Sequence, residues 1–257
     1  GYTKRNKMEL FNIRIAPIQI NYLGFPGTTG LPNMDFLIAD KFVIPKKNMK
    51  FYSEKILYMP NAFINSIKYQ YTKPQTKYKK LKLPPKSFLL AAFHRTEKLS
   101  EEVIYSWISI LRRTENTYLW LRTSNKIAQK NLISFFQSNN IDIKRILFAE
   151  KVDLYTEHIA RYSQADLFLD TFNYNGHTTI LECIWSELPF ITFAGESFAS
   201  RVGSSIANYL GIPELIANSI DEYVEKVVFY TKNLDKLSMI KNQIRKQKKC
   251  GDFFNQK

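Results

Sequence analysis

His177, Thr178 and Thr179 sit where an apolar run, residues 165–170, breaks at Asn173, Asn175 and Gly176 and a helical pattern begins. The first N–H groups of a helix have no intrahelical acceptor and carry the positive end of its dipole, so a phosphate is favoured there, and two threonine hydroxyls add donors. Glu182 follows one turn later. A carboxylate so placed can accept hydrogen bonds from ribose hydroxyls, as acidic residues do in dinucleotide-binding folds. Taken alone, the same residues equally suit an ordinary capped helix start, because threonine is a common cap.

Two further strand ends carry cations or imidazoles. FHRTEK places His94, Arg95 and Lys98 after an expected strand at 87–93, and FAEKVDLYTEHIAR places His158 and Arg161 on the helix after a strand at 145–148. Each is unremarkable by itself, since a basic residue after a strand is often only solvated. Collected on one edge of one sheet, they form a constellation that scattered surface charge explains poorly.

The elements that must position them alternate regularly from residue 85 onward. Strands are expected at 87–93, 117–121, 145–148, 165–170 and 188–193, with helices at 100–113, 126–139, 156–164, 178–187 and 197–210 and a helical region from 221. Alternation of this kind predicts a parallel sheet covered on both faces, with ligands beyond the carboxyl ends of its strands. The first 84 residues differ. Short strands at 18–23, 36–39 and 54–60 flank a loop rich in glycine and threonine, Gly24 to Gly30, which is too little for a complete doubly wound domain and reads as the latter half of one. The division expected is therefore 1–84, ending in a basic linker over about 64–84, and 85–257.

Composition limits the partners. The chain has 257 residues, 45% of them hydrophobic, and no apolar run approaching the roughly 20 residues that span a bilayer, so no membrane insertion is expected. Its net charge of +14 is concentrated in IKYQYTKPQTKYKKLK, where six lysines alternate with Tyr69, Tyr71 and Tyr78, and in the group Lys241, Arg245, Lys246, Lys248 and Lys249. Pro74, Pro84 and Pro85 mark the first as a solvated linker, and the second fits the polar side of a terminal helix. No signature of a nucleic-acid-binding module accompanies them, and no nucleic-acid partner is expected. Two cysteines, Cys183 and Cys250, give neither a disulfide framework nor metal-ligand spacing, in keeping with a cytoplasmic location.

GYTK, APIQINYLGFPGTTG, YSEKILYMP, the Lys98 loop, EHIARYSQADLFLDT, NGHTT, GESFASRV and GIPELIA, in this order over nearly the whole chain, resemble the catalytic region of O-GlcNAc transferases and their bacterial and SPINDLY-like relatives. The resemblance implies an α/β protein of the GT-B type. Its Rossmann-like C-terminal lobe would hold a UDP-sugar, and the partial N-terminal α/β lobe would face the acceptor. It implies that Lys98 contacts the donor diphosphate as the catalytic cation, that His177, Thr178 and Thr179 cradle it, that Glu182 binds ribose and that His158 and Arg161 lie near uridine. Leu23, Gly24 and Pro26 match the loop that approaches the sugar. The activity implied is inverting transfer of a sugar, GlcNAc first among candidates, to Ser or Thr of a protein. Without a carboxylate cluster for Mg²⁺ or Mn²⁺, no metal or other cofactor is expected.

Two residues depart from the family pattern: Arg95 stands where animal enzymes have glutamine, and Glu182 where they have aspartate. The chain also reads as partial, because the family's N-terminal lobe begins before GYTK and includes a histidine-bearing segment. Its tandem helical repeats and a final helix past Lys257 are missing too. The alternatives left open are a related transferase with another donor or acceptor (UDP-glucose to Asn, GDP-fucose, a glycan acceptor) and a nucleotide-binding module without turnover.

Overall fold

The computed structural model describes residues 6–64, 80–123 and 125–250, the side chain of Cys250 excepted. GYTK and most of the basic linker, 65–79 with Tyr69, Tyr71 and Tyr78, lie outside the described residues. Two parallel sheets organise the rest. The first has three short strands in the order β1 (Ile20–Asn21), β2 (Phe36–Ala39) and β3 (Lys55–Tyr58). Their side chains alternate between buried or half-buried and more exposed positions, so Leu37 and Ala39 face the core while Lys55 and Leu57 are open to solvent.

The second sheet has six strands: β4 (Phe88–Ala92), β5 (Thr117–Leu121), β6 (Ile146–Phe148), β7 (Leu167–Leu169), β8 (Phe190–Phe193) and β9 (Ile216–Ala217). All pairs are parallel, in the spatial order β6-β5-β4-β7-β8-β9. The strand order thus reverses between β4 and β7, and in such sheets the crevice at that reversal is where ligands bind. Every residue of β4 is buried, as a strand covered on both faces requires. β9 was not foreseen, because two residues are too short to show a period.

Helices follow the expected positions for local reasons. α1 (Glu101–Arg113) is capped by Ser100, begins with Glu101 and Glu102, ends with Arg112 and Arg113, and buries Val103, Trp107, Ile110 and Leu111. α2 (Lys126–Ser138) is capped by the Asn125 side chain, which accepts from the N–H groups of Ile127 and Ala128. α3 (Tyr155–Tyr162) and α4 (Thr178–Trp185) carry the candidate site residues. The helix expected over 197–210 is instead a 3-10 turn, Phe198–Ser200, followed by α5 (Val202–Tyr209). Gly203 explains the tight approach there: a Cβ would overlap the Thr192 side chain and meet Asp170 Oδ2 at 2.8 Å. The C-terminal helical region divides at Asn233 into α6 (Ile220–Lys232) and α7 (Leu234–Cys250).

One hydrophobic core runs through both sheets, from Leu37, Val43, Ile44 and Phe63 to Trp107, Trp120, Phe168 and Phe190. Polar contacts join them as well. The buried Asp40, just past β2, accepts from the N–H groups of Phe42, Val43 and Phe63 and from Ser205 Oγ on α5 (2.6 Å). Arg201 donates to Phe42 O at 2.6 Å and Gly195 O at 3.0 Å, and Phe63 packs edge-on against Phe198 with centroids 4.9 Å apart.

Candidate functional site

The turn after β7 is built around Asp170, a residue that sequence reasoning left as the end of a strand. Its fully buried carboxylate accepts from Gly176 N (2.6 Å), Thr171 N (2.9 Å) and Thr192 Oγ1 (2.7 Å), and lies 3.7 Å from His94 Nε2. Burial lifts its pKa to about 7 against the opposing pull of those donors and of Lys98. Asn175, equally buried, spans the turn: its amide donates to Thr171 O at 2.7 Å and its Oδ1 accepts from Gly203 N at 3.1 Å. Gly176 is tightly seated: a Cβ would stand 3.0 Å from the His94 ring and 3.2 Å from Thr179 Cβ, so either neighbour would have to give. The available signal was an aspartate at a strand's carboxyl end six residues before a glycine.

Lys98, at the end of the 3-10 turn after β4, reaches across the strand-order reversal. Its Nζ donates to Asn175 O at 2.8 Å and sits 4.1 Å from the centroid of the Tyr174 ring. An ammonium has three donors, so two remain for a ligand. Burial lowers its pKa to about 8; Asp170 opposes the shift and Arg95 adds to it. Arg95 itself is exposed. The two cations therefore share one neighbourhood, as the sequence suggested.

His177 precedes α4 and stacks on Tyr174 at 4.8 Å, with Nε2 3.4 Å from Ala199 O. Burial, then Lys98, depresses its pKa to about 4, so it is neutral at physiological pH. No side chain caps α4, and Thr178 is exposed with Thr179 half-buried beside it. Leu23, Gly24 and Pro26 approach from the first sheet: with Phe63, Tyr174 and His177 they line a cavity of about 60 Å³. Leu23 adopts a left-handed backbone (φ 58°) to make that approach.

The remaining candidates lie deeper than expected. Glu182 is buried and already accepts from Tyr155 Oη and Tyr162 Oη, each at 2.6 Å, with His158 Nε2 at 3.3 Å. Three of its roughly four acceptor positions are thus occupied by protein. Arg161, fully buried, donates to Glu150 O at 3.2 Å and lies 5.7 Å from the Phe93 ring, and His158 is enclosed by Phe93, Tyr155 and Tyr162. Lys98, His177 and the Leu23 loop come together around Tyr174, with Thr178 and Thr179 opening α4 beside them; His158 and Arg161 on α3 and Glu182 on α4 form a second cluster. Tyr155, Tyr162 and Tyr174 were missed, because tyrosines inside helices and turns carry no distinctive spacing.

A larger cavity, about 890 Å³, opens at the opposite, amino edge of the six-stranded sheet, between Leu81, Leu89, Gln164, Asp166 and Trp185. Size does not make it the site. Lys80, Lys86 and Lys248 line it, but Arg95, Lys98, the imidazoles and the start of α4 lie at the carboxyl edge, where parallel sheets place ligands.

A six-stranded parallel sheet that reverses order beside an anion-ready turn, joined to a second parallel sheet, has the α/β architecture of the GT-B type. The profile of glycosyl transferase family 41 matches residues 1–73 and 65–257, and the chain belongs to that family. It is 35% identical over 99% of its length to an Arabidopsis thaliana protein named Probable UDP-N-acetylglucosamine–peptide N-acetylglucosaminyltransferase SEC, covering 27% of that relative. With the tomato (Solanum lycopersicum) protein of the same description named SPINDLY it shares 27% identity over 95% of its length, covering 26% of that relative. The chain thus spans about a quarter of these relatives. Among solved structures, a mutant O-GlcNAc transferase of Thermobaculum terrenum shares the fold, with a TM-score of 0.82 at 23% identity over 94% of this chain and 47% of that one. Among the described residues, no helix is long and apolar enough to cross a membrane, and no three His, Cys, Asp or Glu side chains are grouped to hold a metal.

Proposed function

We propose that this chain forms the donor-binding and catalytic part of an inverting, metal-independent glycosyltransferase. It would move a sugar, GlcNAc first among candidates, from a UDP-sugar to Ser or Thr hydroxyls of a protein. Residues 85–257 would hold the nucleotide and 1–84 would face the sugar and acceptor. The observation that carries the reading is Lys98 reaching from the end of β4 to the turn after β7, with two donors to spare. As the bond from sugar to diphosphate breaks, negative charge grows on the leaving phosphate. Lys98, Arg95 and the N–H groups at Thr178 and Thr179 then interact more strongly than in the ground state, which is what lowers a barrier. Burial and Lys98 keep His177 neutral, and a diphosphate beside it would draw its pKa upward.

His158 and Arg161 would shape the nucleoside end, with Glu182 offering its remaining acceptor position to ribose. The cations at the diphosphate are the support for metal independence, with EDTA-insensitive turnover as its consequence. A cytoplasmic location is proposed from the free, buried Cys183. Membership of family 41 and the names of its plant relatives support a protein acceptor. Titration calorimetry tests the core of the reading: UDP should bind, GDP more weakly, and His177→Ala should weaken UDP. Absence of heat with UDP, or a His177→Ala protein that binds it unchanged, would defeat the proposal.

A further inference from the structure

A buried carboxylate in the first sheet has no part in the chemistry above. Glu54, immediately before β3, is 4% exposed. Its Oε1 accepts from Thr29 N (2.7 Å) and Thr29 Oγ1 (2.6 Å), and its Oε2 from Thr28 Oγ1 (2.7 Å) and Ser53 Oγ (3.1 Å). Thr28 Oγ1 is itself a hub, accepting from Gly30 N at 3.2 Å and Ser53 N at 3.3 Å. Burial alone would raise the Glu54 pKa, but the bonds from Thr29 and Thr28 outweigh it and hold the carboxyl below its ordinary range.

Burying a charge is costly unless donors compensate it, and here every donor comes from the loop or from the adjacent Ser53. The residue therefore fastens the 24–30 loop to β3. The other end of that loop, Leu23 to Pro26, forms one wall of the narrow gap whose opposite wall is Tyr174 and His177. Small changes in the loop's seat consequently decide how a group leaving the diphosphate turn is met.

We infer that Glu54 is a positioning residue for donor selection: through Thr28 and Thr29 it fixes the loop that meets the sugar of a nucleotide-sugar, while leaving the nucleotide seat alone. This rests on the nucleotide-sugar reading of the site. With the loop pinned, no ordering is left to be done when the sugar arrives. With the pin cut, a glycine-rich segment must be ordered at each binding event, and that cost falls on the sugar's share of affinity.

The test compares UDP with UDP-GlcNAc by calorimetry in the parent protein, Glu54→Gln, Thr28→Val and the double variant, with unfolding midpoints recorded for each. Both single variants should keep UDP affinity within ~2-fold while the ratio of UDP-GlcNAc to UDP affinity drops ~10-fold, and the double variant should lose no more than either single one. Equal weakening of both ligands, additive losses, or an unchanged ratio would each overturn the assignment. Thr28→Val keeps the carboxylate and three of its donors, so it reports even where Glu54→Gln folds poorly. His177→Ala run alongside separates the two levels of argument: intact UDP binding in that variant sinks the nucleotide site itself, whereas lost UDP binding with an unmoved ratio in the Glu54 variant sinks only the role of the loop.

Discussion

The two sheets solve different problems with the same device. In the six-stranded sheet the central strands β4 and β7 are buried on both faces, and Asp170 ties a turn to that packed scaffold. In the three-stranded sheet the strands are short and half-open, and Asp40 and Glu54 add polar ties to a smaller share of the core: one pins the sheet to α5, the other pins its own loop. A carboxylate satisfied by backbone and hydroxyl donors thus serves the C-terminal sheet as an organiser of a site and the N-terminal sheet as a fastener. In the proposed reading the site proper belongs to the larger sheet, and the smaller one contributes position.

If that contrast is right, the largest effect comes from the organiser. Asp170→Ala strands two backbone N–H groups and a threonine hydroxyl in a buried place, so it should cost about 3–5 kcal/mol in chemical denaturation and remove UDP binding together with stability. Lys98→Ala should act on chemistry instead, lowering kcat by roughly 10²–10³ with a smaller change in donor affinity, because its interaction strengthens as the diphosphate leaves. An unchanged kcat would assign Lys98 to the scaffold.

The pH dependence sharpens the same point. In the proposed role Lys98 would bind the diphosphate as the ammonium, and burial lowers its pKa to about 8, so UDP affinity should fall as pH rises through about 8 and be restored on return. In Lys98→Met the curve should be flat over that interval. Ser205→Ala, which removes only the α5 end of the Asp40 network, should cost about 1–2 kcal/mol in urea and leave UDP affinity alone, marking the smaller sheet as docked and not as part of the nucleotide seat. The exposed Arg113–Glu225 pair is the control: Arg113→Ala should leave stability and binding unmoved.

Much of this was legible beforehand, and the reasons are physical. β4, β5 and α1 announce themselves through continuous apolar runs, periodic apolar positions and an N-cap serine, all of which are local. Lys98, His177, Thr178 and Thr179 could be placed on one edge because every parallel strand delivers its carboxyl end to the same side. What stayed hidden depends on partners far away in sequence. Glu182 looked free on a helix, yet Tyr155 and Tyr162, 27 and 20 residues away, fill its oxygens. Arg161 was expected near the uridine, but its helix turns it inward onto Phe93 and Glu150. Asp40 meets Ser205 across 165 residues, a pairing no spacing rule contains.

The central claim is that the turn after β7, with Lys98 laid across the reversal from β4, is the seat of a nucleotide diphosphate. A crystal soaked with UDP tests it most directly. The account predicts the diphosphate within hydrogen-bond reach of Lys98 Nζ and the N–H groups of Thr178 and Thr179, with the base toward His158. UDP density in the amino-edge cavity beside Trp185 and Asp166, with the Lys98 turn left empty, would contradict it.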